Sequence, residues 1–114
     1  MRYVLYRAIK GRGPRLSDFW SDFAHGEEPF PVQIKEPLEW SGVSTSIDPN
    51  KTLALGRLMR HQAIVVLDIE TDTKDVIVRQ TGKRNVSHYS VMATPSTLLS
   101  FVVQIVPIID EGTP

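Results

Sequence analysis

The stretch Ala63–Ile69, Ala-Ile-Val-Val-Leu-Asp-Ile, is almost continuously apolar and rich in β-branched residues. A short run of this composition is typical of a strand that is covered on both faces. We therefore expect it to form a central strand of a sheet, around which the rest of the chain is arranged.

Further strands are predicted on both sides of this stretch, because apolar and β-branched residues recur in short runs that turn residues interrupt. These predicted strands are Met1–Ile9, Leu38–Ile47, Asp75–Gln80, Ser87–Ala93 and Phe101–Ile109. Gly82-Lys83-Arg84-Asn85 is the predicted turn between the third and fourth of them. Alternation along the second places Ser44 and Ser46 on one face, opposite to Val43, Thr45 and Ile47.

Three short helices are predicted from their capping signals. The first runs from Ser17 to Ala24. The second starts at Asp48-Pro49 and ends near His61, and the third is a single turn after Thr94-Pro95. The second helix is expected to bury a stripe formed by Leu53, Ala54, Leu58 and Met59. Between the first helix and Leu38, three prolines predict a long extended loop that covers a cleft: Pro29, Pro31 and Pro37.

Strands outnumber helices, and the late strands follow each other closely enough to pair as antiparallel neighbours. The predicted fold class is therefore α+β. With 114 residues, the chain has the usual size of one domain, and we expect residues 1–114 to form a single domain.

The overall composition narrows the classes of partner. Thirteen basic residues balance 13 acidic residues, so no net charge attracts nucleic acid or anionic lipid. No apolar run approaches the roughly 20 residues that span a bilayer, and no export signal is visible, so we expect a cytoplasmic protein without membrane contact. Cysteine is absent, which excludes disulfides and thiolate nucleophiles.

Arg7 is the first candidate site residue, because an arginine inside an apolar strand requires an anionic partner. In a functional interpretation this partner is a ligand phosphate, gripped by the guanidinium fork. In a structural interpretation it is a carboxylate such as Asp68 or Glu70. The spacing of the residues favours neither interpretation.

Ser44-Thr45-Ser46 and His88 are the remaining polar candidates. Three consecutive hydroxyl groups suit a strand that faces a polar cleft, or they simply precede the Asp48 cap. His88 can act as a proton carrier or as a partner of a ribose hydroxyl, or as a half-buried hydrogen-bonded side chain. The three histidines lie far apart without a ligand spacing, so no metal site is expected.

The order of these features resembles the arginine-serine-glutamate class of ADP-ribosyltransferases over almost the whole chain. The features are Tyr6-Arg7 in a first strand, Gly42-Val43-Ser44-Thr45-Ser46, a helix containing Ala54, an apolar strand, and Val91-Met92 before a last strand. The resemblance implies a split pair of small, mainly antiparallel sheets with NAD in the cleft between them. It also implies that Arg7 holds the NAD phosphate and Ser44 shapes the nicotinamide pocket, with Thr45 and Ser46 in support.

The chain departs from this family where the family has Glu or Gln, any residue, and then Glu. The corresponding stretch reads His88-Tyr89-Ser90. A carboxylate there stabilises the oxocarbenium character of the transition state, and histidine adds no negative charge. The related RNA 2′-phosphotransferases carry out NAD-dependent chemistry without this glutamate. The resemblance therefore implies NAD as co-substrate and transfer or hydrolysis of ADP-ribose as the activity. We expect Arg7 and His88 to be the catalytic residues, with His88 as ribose contact or acid-base group, and we expect Tyr89 to bind the cofactor together with Arg7, Ser44, Thr45 and Ser46.

A second hypothesis is a non-catalytic module that binds another protein through an α+β scaffold. Its surface would consist of aromatic residues around the proline-rich loop, because aromatic side chains anchor many protein interfaces. These residues are Trp20, Phe23, Phe30 and Trp40.

Overall fold

The computed structural model describes residues 1–21, 42–71, 76–82 and 84–109. These residues form six strands, a short 3₁₀ helix at Leu16–Phe19 and two α-helices, α1 (Pro49–Leu58) and α2 (Pro95–Ser100). The strands are β1 (Arg2–Ile9), β2 (Val43–Ser46), β3 (Ala63–Glu70), β4 (Ile77–Gln80), β5 (His88–Met92) and β6 (Val102–Pro107). The predicted α+β class is confirmed. None of the described helices has the length and apolar character needed to cross a membrane.

The six strands form one antiparallel sheet in the order β4-β5-β2-β1-β3-β6. The prediction that Ala63–Ile69 forms a central strand is confirmed, because β3 lies between β1 and β6. Its core face is completely buried, whereas Val66 and Asp68 on the opposite face are half-buried, so the predicted cover on both faces is found only in part. The resemblance implies a split pair of sheets, whereas the described strands are joined into a single sheet.

The pairing between β1 and β2 is much shorter than the other pairings in this sheet. Arg2–Ile9 pairs with β3 along its whole length, whereas between β1 and β2 the described residues form one pair in register, Tyr6 with Ser46. The sheet therefore consists of two three-stranded halves, β4-β5-β2 and β1-β3-β6, that meet at one point.

The main core lies on the face of the sheet that carries Leu5, Ile9, Val65 and Leu67. Phe19 of the 3₁₀ helix and Leu98 of α2 belong to this core, so both elements cover that face. Alternation along β1 places Tyr6 and Ala8 on the opposite face, where α1 packs.

α1 starts as the sequence predicts, because the Asp48 side chain accepts hydrogen bonds from the backbone N–H groups of Asn50 and Lys51 and Pro49 takes the first helical position. The predicted buried stripe is wrong: Leu58 and Met59 are exposed, Ala54 is exposed, and Leu53 is half-buried. The buried residues are instead Thr52 and Gly56, one turn apart.

Gly56 allows the helix to approach the sheet closely. A Cβ atom at this position would lie 2.6 Å from Ile108 Cδ1 and 3.3 Å from Ala8 Cβ. Large side chains cannot fit into such a contact, so α1 packs through small residues and leaves its long apolar side chains on the surface.

The other predicted elements are found with changed boundaries. The helix predicted from Ser17 is a 3₁₀ helix that ends at Phe19, followed by extended backbone at Trp20. The turn after Thr94 is a longer helix, with Thr94 as its cap. The proline-rich loop, residues 22–24 of the first predicted helix and residues 38–41 of the second predicted strand lie outside the described residues.

Candidate functional site

A cavity of about 430 Å³ lies at the point where the two halves of the sheet meet. It is bounded by β1, β2, one side of α1 from Lys51 to the C-cap residue Met59, His61 and the segment that leads into β5. Among the described residues its lining comprises Tyr6, Arg7, Ala8, Ser44, Thr45, Ser46, Lys51, Thr52, Leu55, Met59, His61, Asn85 and His88. Arg7, the three hydroxyl residues and His88, all selected from the sequence, therefore lie around one cavity, which we call the junction cavity.

The register of the strands accounts for this convergence. Ser46 is paired with Tyr6 on one side and with His88 on the other, and Ser44 is paired with Ser90. Residues opposite each other in an antiparallel pair project from the same face of the sheet. Tyr6, Ser46 and His88 thus form a row across the junction of the two halves.

Arg7 bridges the two halves of the sheet beside this row. Its Nε atom donates to the backbone carbonyl of Asp18 at 2.7 Å, and its Nη1 atom donates to the backbone carbonyl of Ser44 at 2.6 Å. The guanidinium group thus takes the place of ladder hydrogen bonds where the β1–β2 pairing ends.

The two carboxylates considered as structural partners of Arg7 are engaged at the other end of β1. Asp68 accepts hydrogen bonds from the Arg2 guanidinium, which lowers the pKa of Asp68 below its ordinary value. Glu70 accepts a hydrogen bond from the amino group of Met1 at 3.0 Å. The described partners of Arg7 are therefore backbone carbonyls, an alternative that the sequence pattern does not reveal.

Two of the three hydroxyl groups have structural partners as well. Thr45 is buried, and its Oγ1 donates to the Tyr89 carbonyl at 3.0 Å. Ser46 Oγ accepts a hydrogen bond from the Asp48 backbone N–H at 3.0 Å. Ser44 is exposed, and its carbonyl receives Arg7. The triplet therefore both precedes the helix cap and lines the cavity, so the two interpretations of its sequence are compatible.

Tyr89 is the one predicted site residue that does not line the junction cavity. It alternates with His88 and Ser90 along β5, so its side chain projects from the other face of the sheet. There it packs against the core, with its ring centroid 5.9 Å from that of Tyr3 and an interplanar angle of 52°. The prediction that Tyr89 contacts a cofactor in this cavity is therefore not supported by its position.

The His88 ring contacts the hydroxyl group of Thr81. Its Nδ1 lies 2.8 Å from Thr81 Oγ1, and Thr81 Oγ1 lies 2.9 Å from Ser90 Oγ. Thr81 and Ser90 are buried, whereas His88 is half-buried at the cavity. The imidazole is thus oriented by Thr81, which directly follows β4.

Lys51 is a cavity residue that the sequence reasoning missed. Its Nζ atom donates to Asn85 Oδ1 and to Ser87 Oγ, both at 3.1 Å. These partners are neutral, and within the described ranges no carboxylate forms an ion pair with Lys51. From sequence, a lysine in the first turn of a helix indicates only a solvated position, and its contact with the loop before β5 depends on the tertiary fold.

His61 is the second cavity residue that was missed. Burial lowers the pKa of His61 below its ordinary value, and the positive charges of Arg7 and Lys10 lower it further. Asp18 and the backbone of Ala8 act in the opposite direction. Its Nδ1 atom is buried and has no hydrogen-bond partner among the described residues. The neutral form is therefore favoured.

The charged side chains that line the described part of the junction cavity are all positive. Arg7 and Lys51 contribute two cations, and His61 and His88 contribute two imidazoles, while the described lining contains no carboxylate. A cavity of this composition favours an anionic ligand with several acceptor oxygens. Among the described residues, no three side chains of the types that bind metals lie close enough together to hold a metal ion.

Comparison with known proteins identifies no relative of this chain. No protein-family model, no curated protein and no solved structure matches this chain.

Proposed function

We propose that the junction cavity binds the phosphate-bearing part of a nucleotide, with NAD or ADP-ribose as the ligand. The observation that carries the proposal is the convergence of Arg7, Ser44, Ser46 and His88 around one cavity. These residues are distant in sequence, and the ADP-ribosyltransferase resemblance assigns the same positions to NAD.

The size and polarity of the cavity support a small ligand of this kind. A volume of about 430 Å³ falls within the range of roughly 300–1,000 Å³ that is common for small-molecule sites. Lys51 supplies a cation with only neutral described partners, and such a group can form a charge-assisted hydrogen bond with a phosphoryl oxygen.

An apolar wall completes the cavity. Leu55 and Met59 of α1 line it and are 55% and 58% exposed, and Tyr6 lines it from β1. Exposed apolar side chains beside cationic groups suit a ligand with a flat ring and a phosphate. We propose that this wall contacts the nicotinamide or adenine ring.

The reaction that follows from the proposal is transfer or hydrolysis of ADP-ribose. Both break the glycosidic bond between nicotinamide and ribose and pass through a transition state with oxocarbenium character. The described cavity lining offers no carboxylate to stabilise that positive charge. We therefore propose nucleotide binding as the main function and expect any release of nicotinamide from NAD to be slow.

Isothermal titration calorimetry with NAD and ADP-ribose tests this proposal. The wild type should bind at least one of them, and Lys51→Ala should weaken binding by about 1.5–3 kcal/mol, which is roughly 10- to 150-fold, through loss of a charge-assisted hydrogen bond. Arg57→Ala is the matched control, because it removes the same charge from the same helix but lines a different cavity. Absence of binding heat with both nucleotides at millimolar concentration would refute the proposal.

The second candidate function is binding of another protein. Trp20 is 42% exposed, which favours a surface role, whereas Phe23, Phe30 and Trp40 lie outside the described residues. A pull-down with the wild type and with Trp20→Ala separates the two functions. If the nucleotide proposal is correct, Trp20→Ala retains nucleotide binding, whereas a protein interface would lose its partner.

A further inference from the structure

Lys51 connects α1 to the segment that leads into β5. Its Nζ atom donates to Asn85 Oδ1 and to Ser87 Oγ, both at 3.1 Å. An ammonium group has three N–H donors, so these two contacts leave one donor without a partner among the described residues. Because Lys51 lines the junction cavity, this donor can bond to a ligand that enters the cavity.

The two oxygen atoms that hold Lys51 are themselves fixed by the fold. Asn85 Oδ1 also accepts a hydrogen bond from the Ser87 backbone N–H at 3.2 Å, and the Asn85 carbonyl accepts one from the His88 backbone N–H at 3.1 Å. Ser87 is 8% exposed, and its carbonyl accepts a hydrogen bond from the Ile47 backbone N–H at 3.0 Å. The segment therefore orders the lysine side chain before a ligand arrives, which reduces the entropy that binding would otherwise cost.

The positive charge of Lys51 is not paired with a carboxylate. Both of its hydrogen-bond partners are neutral, and none of the described carboxylates forms an ion pair with it. Asp48, the acid at the start of the same helix, accepts from the backbone N–H groups of Asn50 and Lys51 instead. Arg7 adds a second positive charge to the cavity lining. The cavity therefore attracts a ligand group that carries more than one negative charge.

We propose that Asn85 and Ser87 are positioning residues, which hold the Lys51 ammonium group at the junction cavity without neutralising it, and that the group recognised there is a pyrophosphate. This inference rests on the nucleotide binding proposed above and makes it more specific, because NAD and ADP-ribose share their pyrophosphate group. Inorganic pyrophosphate alone should then bind in the same cavity. Adenosine, which has no phosphate, should bind at least about tenfold more weakly than ADP-ribose.

Ser87→Ala tests the positioning role, because Ser87 holds Lys51 but is not part of the described cavity lining. Isothermal titration calorimetry with inorganic pyrophosphate should show binding by the wild type and an affinity at least about threefold lower for Ser87→Ala. In the Lys51→Gln background, Ser87→Ala should change the affinity by less than about 1.5-fold, since its effect is transmitted through Lys51. Ser100→Ala, which removes an exposed hydroxyl from α2, is the matched control. An equal loss in both backgrounds, or no loss in either, would overturn the proposal.

Asn85→Asp tests whether the charge of Lys51 must remain unpaired. The aspartate keeps an oxygen acceptor for the Lys51 ammonium group and for the Ser87 N–H, and it adds a negative charge beside the ammonium group. Pyrophosphate and ADP-ribose should both bind at least about tenfold more weakly than they bind to the wild type. Asn50→Asp places the same charge at an exposed position of α1 outside the junction cavity and should weaken binding less than about threefold. Unchanged affinity of Asn85→Asp for both ligands would contradict the proposal.

Pyrophosphate also separates this inference from the proposed function. If pyrophosphate binds and Ser87→Ala weakens its binding only in the presence of Lys51, while NAD and ADP-ribose give no binding heat, the anion site stands and the nucleotide function fails. If ADP-ribose binds but Ser87→Ala and Asn85→Asp bind it as tightly as the wild type does, the nucleotide function stands and the positioning role fails. No binding of pyrophosphate at millimolar concentration, or adenosine binding as tight as that of ADP-ribose, would refute recognition of the pyrophosphate group.

Discussion

The two sides of β1 differ in how they join the rest of the sheet. Towards β3, Arg2–Ile9 is paired along its entire length, and the residues that face each other are mostly apolar. Towards β2, the pairing is reduced to Tyr6 and Ser46, and Arg7 bonds to backbone carbonyls in place of the ladder. One strand thus belongs to a continuous apolar sheet on one side and to a polar cavity on the other.

If the proposed ligand binding is correct, this difference separates the residues that stabilise the fold from those that bind the ligand. The β1–β3 pair buries Leu5, Leu67 and Ile69 completely, and apolar burial is the main favourable contribution to folding. The β1–β2 side leaves room for a cavity and fills its wall with groups that donate hydrogen bonds. Substitutions on the two sides should therefore affect different measurements.

The largest effect on stability is expected on the β3 side. Leu67 is completely buried in the core, so Leu67→Ala should lower the free energy of unfolding by about 2–5 kcal/mol, through lost burial and the cavity that remains. Val103→Ala on β6 is the control, since Val103 is 65% exposed and should change stability by less than about 0.5 kcal/mol. Urea unfolding followed by circular dichroism measures both. Equal effects of the two variants would contradict the assignment of the core.

A smaller effect is expected from Arg7, which joins the two sides. Arg7→Ala removes the donors that satisfy the carbonyls of Asp18 and Ser44, and it should lower the free energy of unfolding by about 1.5–3 kcal/mol. Arg79→Ala removes the same charge from exposed β4 and should cost less than about 0.5 kcal/mol. If both arginine variants unfold at the same urea concentration, Arg7 does not brace the junction.

The β3 side was predictable from the sequence because local patterns determine it. Continuous apolar composition identifies Ala63–Ile69 as a buried strand, and the Asp48-Pro49 cap identifies the start of α1. The face that α1 buries was not predictable in this way. Hydrophobic periodicity favours Leu58 and Met59, but the close approach at Gly56 leaves no room for long side chains.

The cavity was predictable only in part. Arg7, Ser44 and His88 carry chemical signals in their own segments, and the sheet brings them together. Lys51 and His61 carry no local signal, because their roles depend on contacts with residues distant in sequence. Tyr89 was expected beside His88 from its position in the sequence, but strand alternation turns its side chain to the opposite face of the sheet.

A third prediction concerns the pH dependence of stability on the cavity side. The pKa of His61 is lowered in the folded protein, so the unfolded chain binds a proton more readily at this position. Its contribution therefore becomes increasingly unfavourable to folding as the pH falls below the ordinary histidine value of about 6.5. Thermal unfolding between about pH 7.5 and pH 5 should show a smaller loss of stability for His61→Gln than for the wild type. Parallel curves for the two proteins would argue against a perturbed His61.

The smallest effect on stability is expected at the exposed end of the β1–β3 pair, where Arg2 contacts Asp68. The bond from Arg2 lowers the pKa of Asp68, so the pair stabilises the fold while the carboxylate is ionised and loses this contribution as the pH falls through the lowered value. Arg2 is largely exposed, so the difference between the wild type and Arg2→Ala should be slight and should decrease with salt. Melting temperatures at low and high ionic strength provide the measurement. A large difference that is independent of salt would contradict a surface ion pair.

The most direct test of nucleotide binding at the junction of the two halves is a crystal structure of the protein soaked with NAD or ADP-ribose. We predict that the ligand occupies the junction cavity, with a phosphoryl oxygen about 3 Å from Lys51 Nζ. An empty cavity at saturating nucleotide, or a nucleotide bound elsewhere on the molecule, would contradict the account.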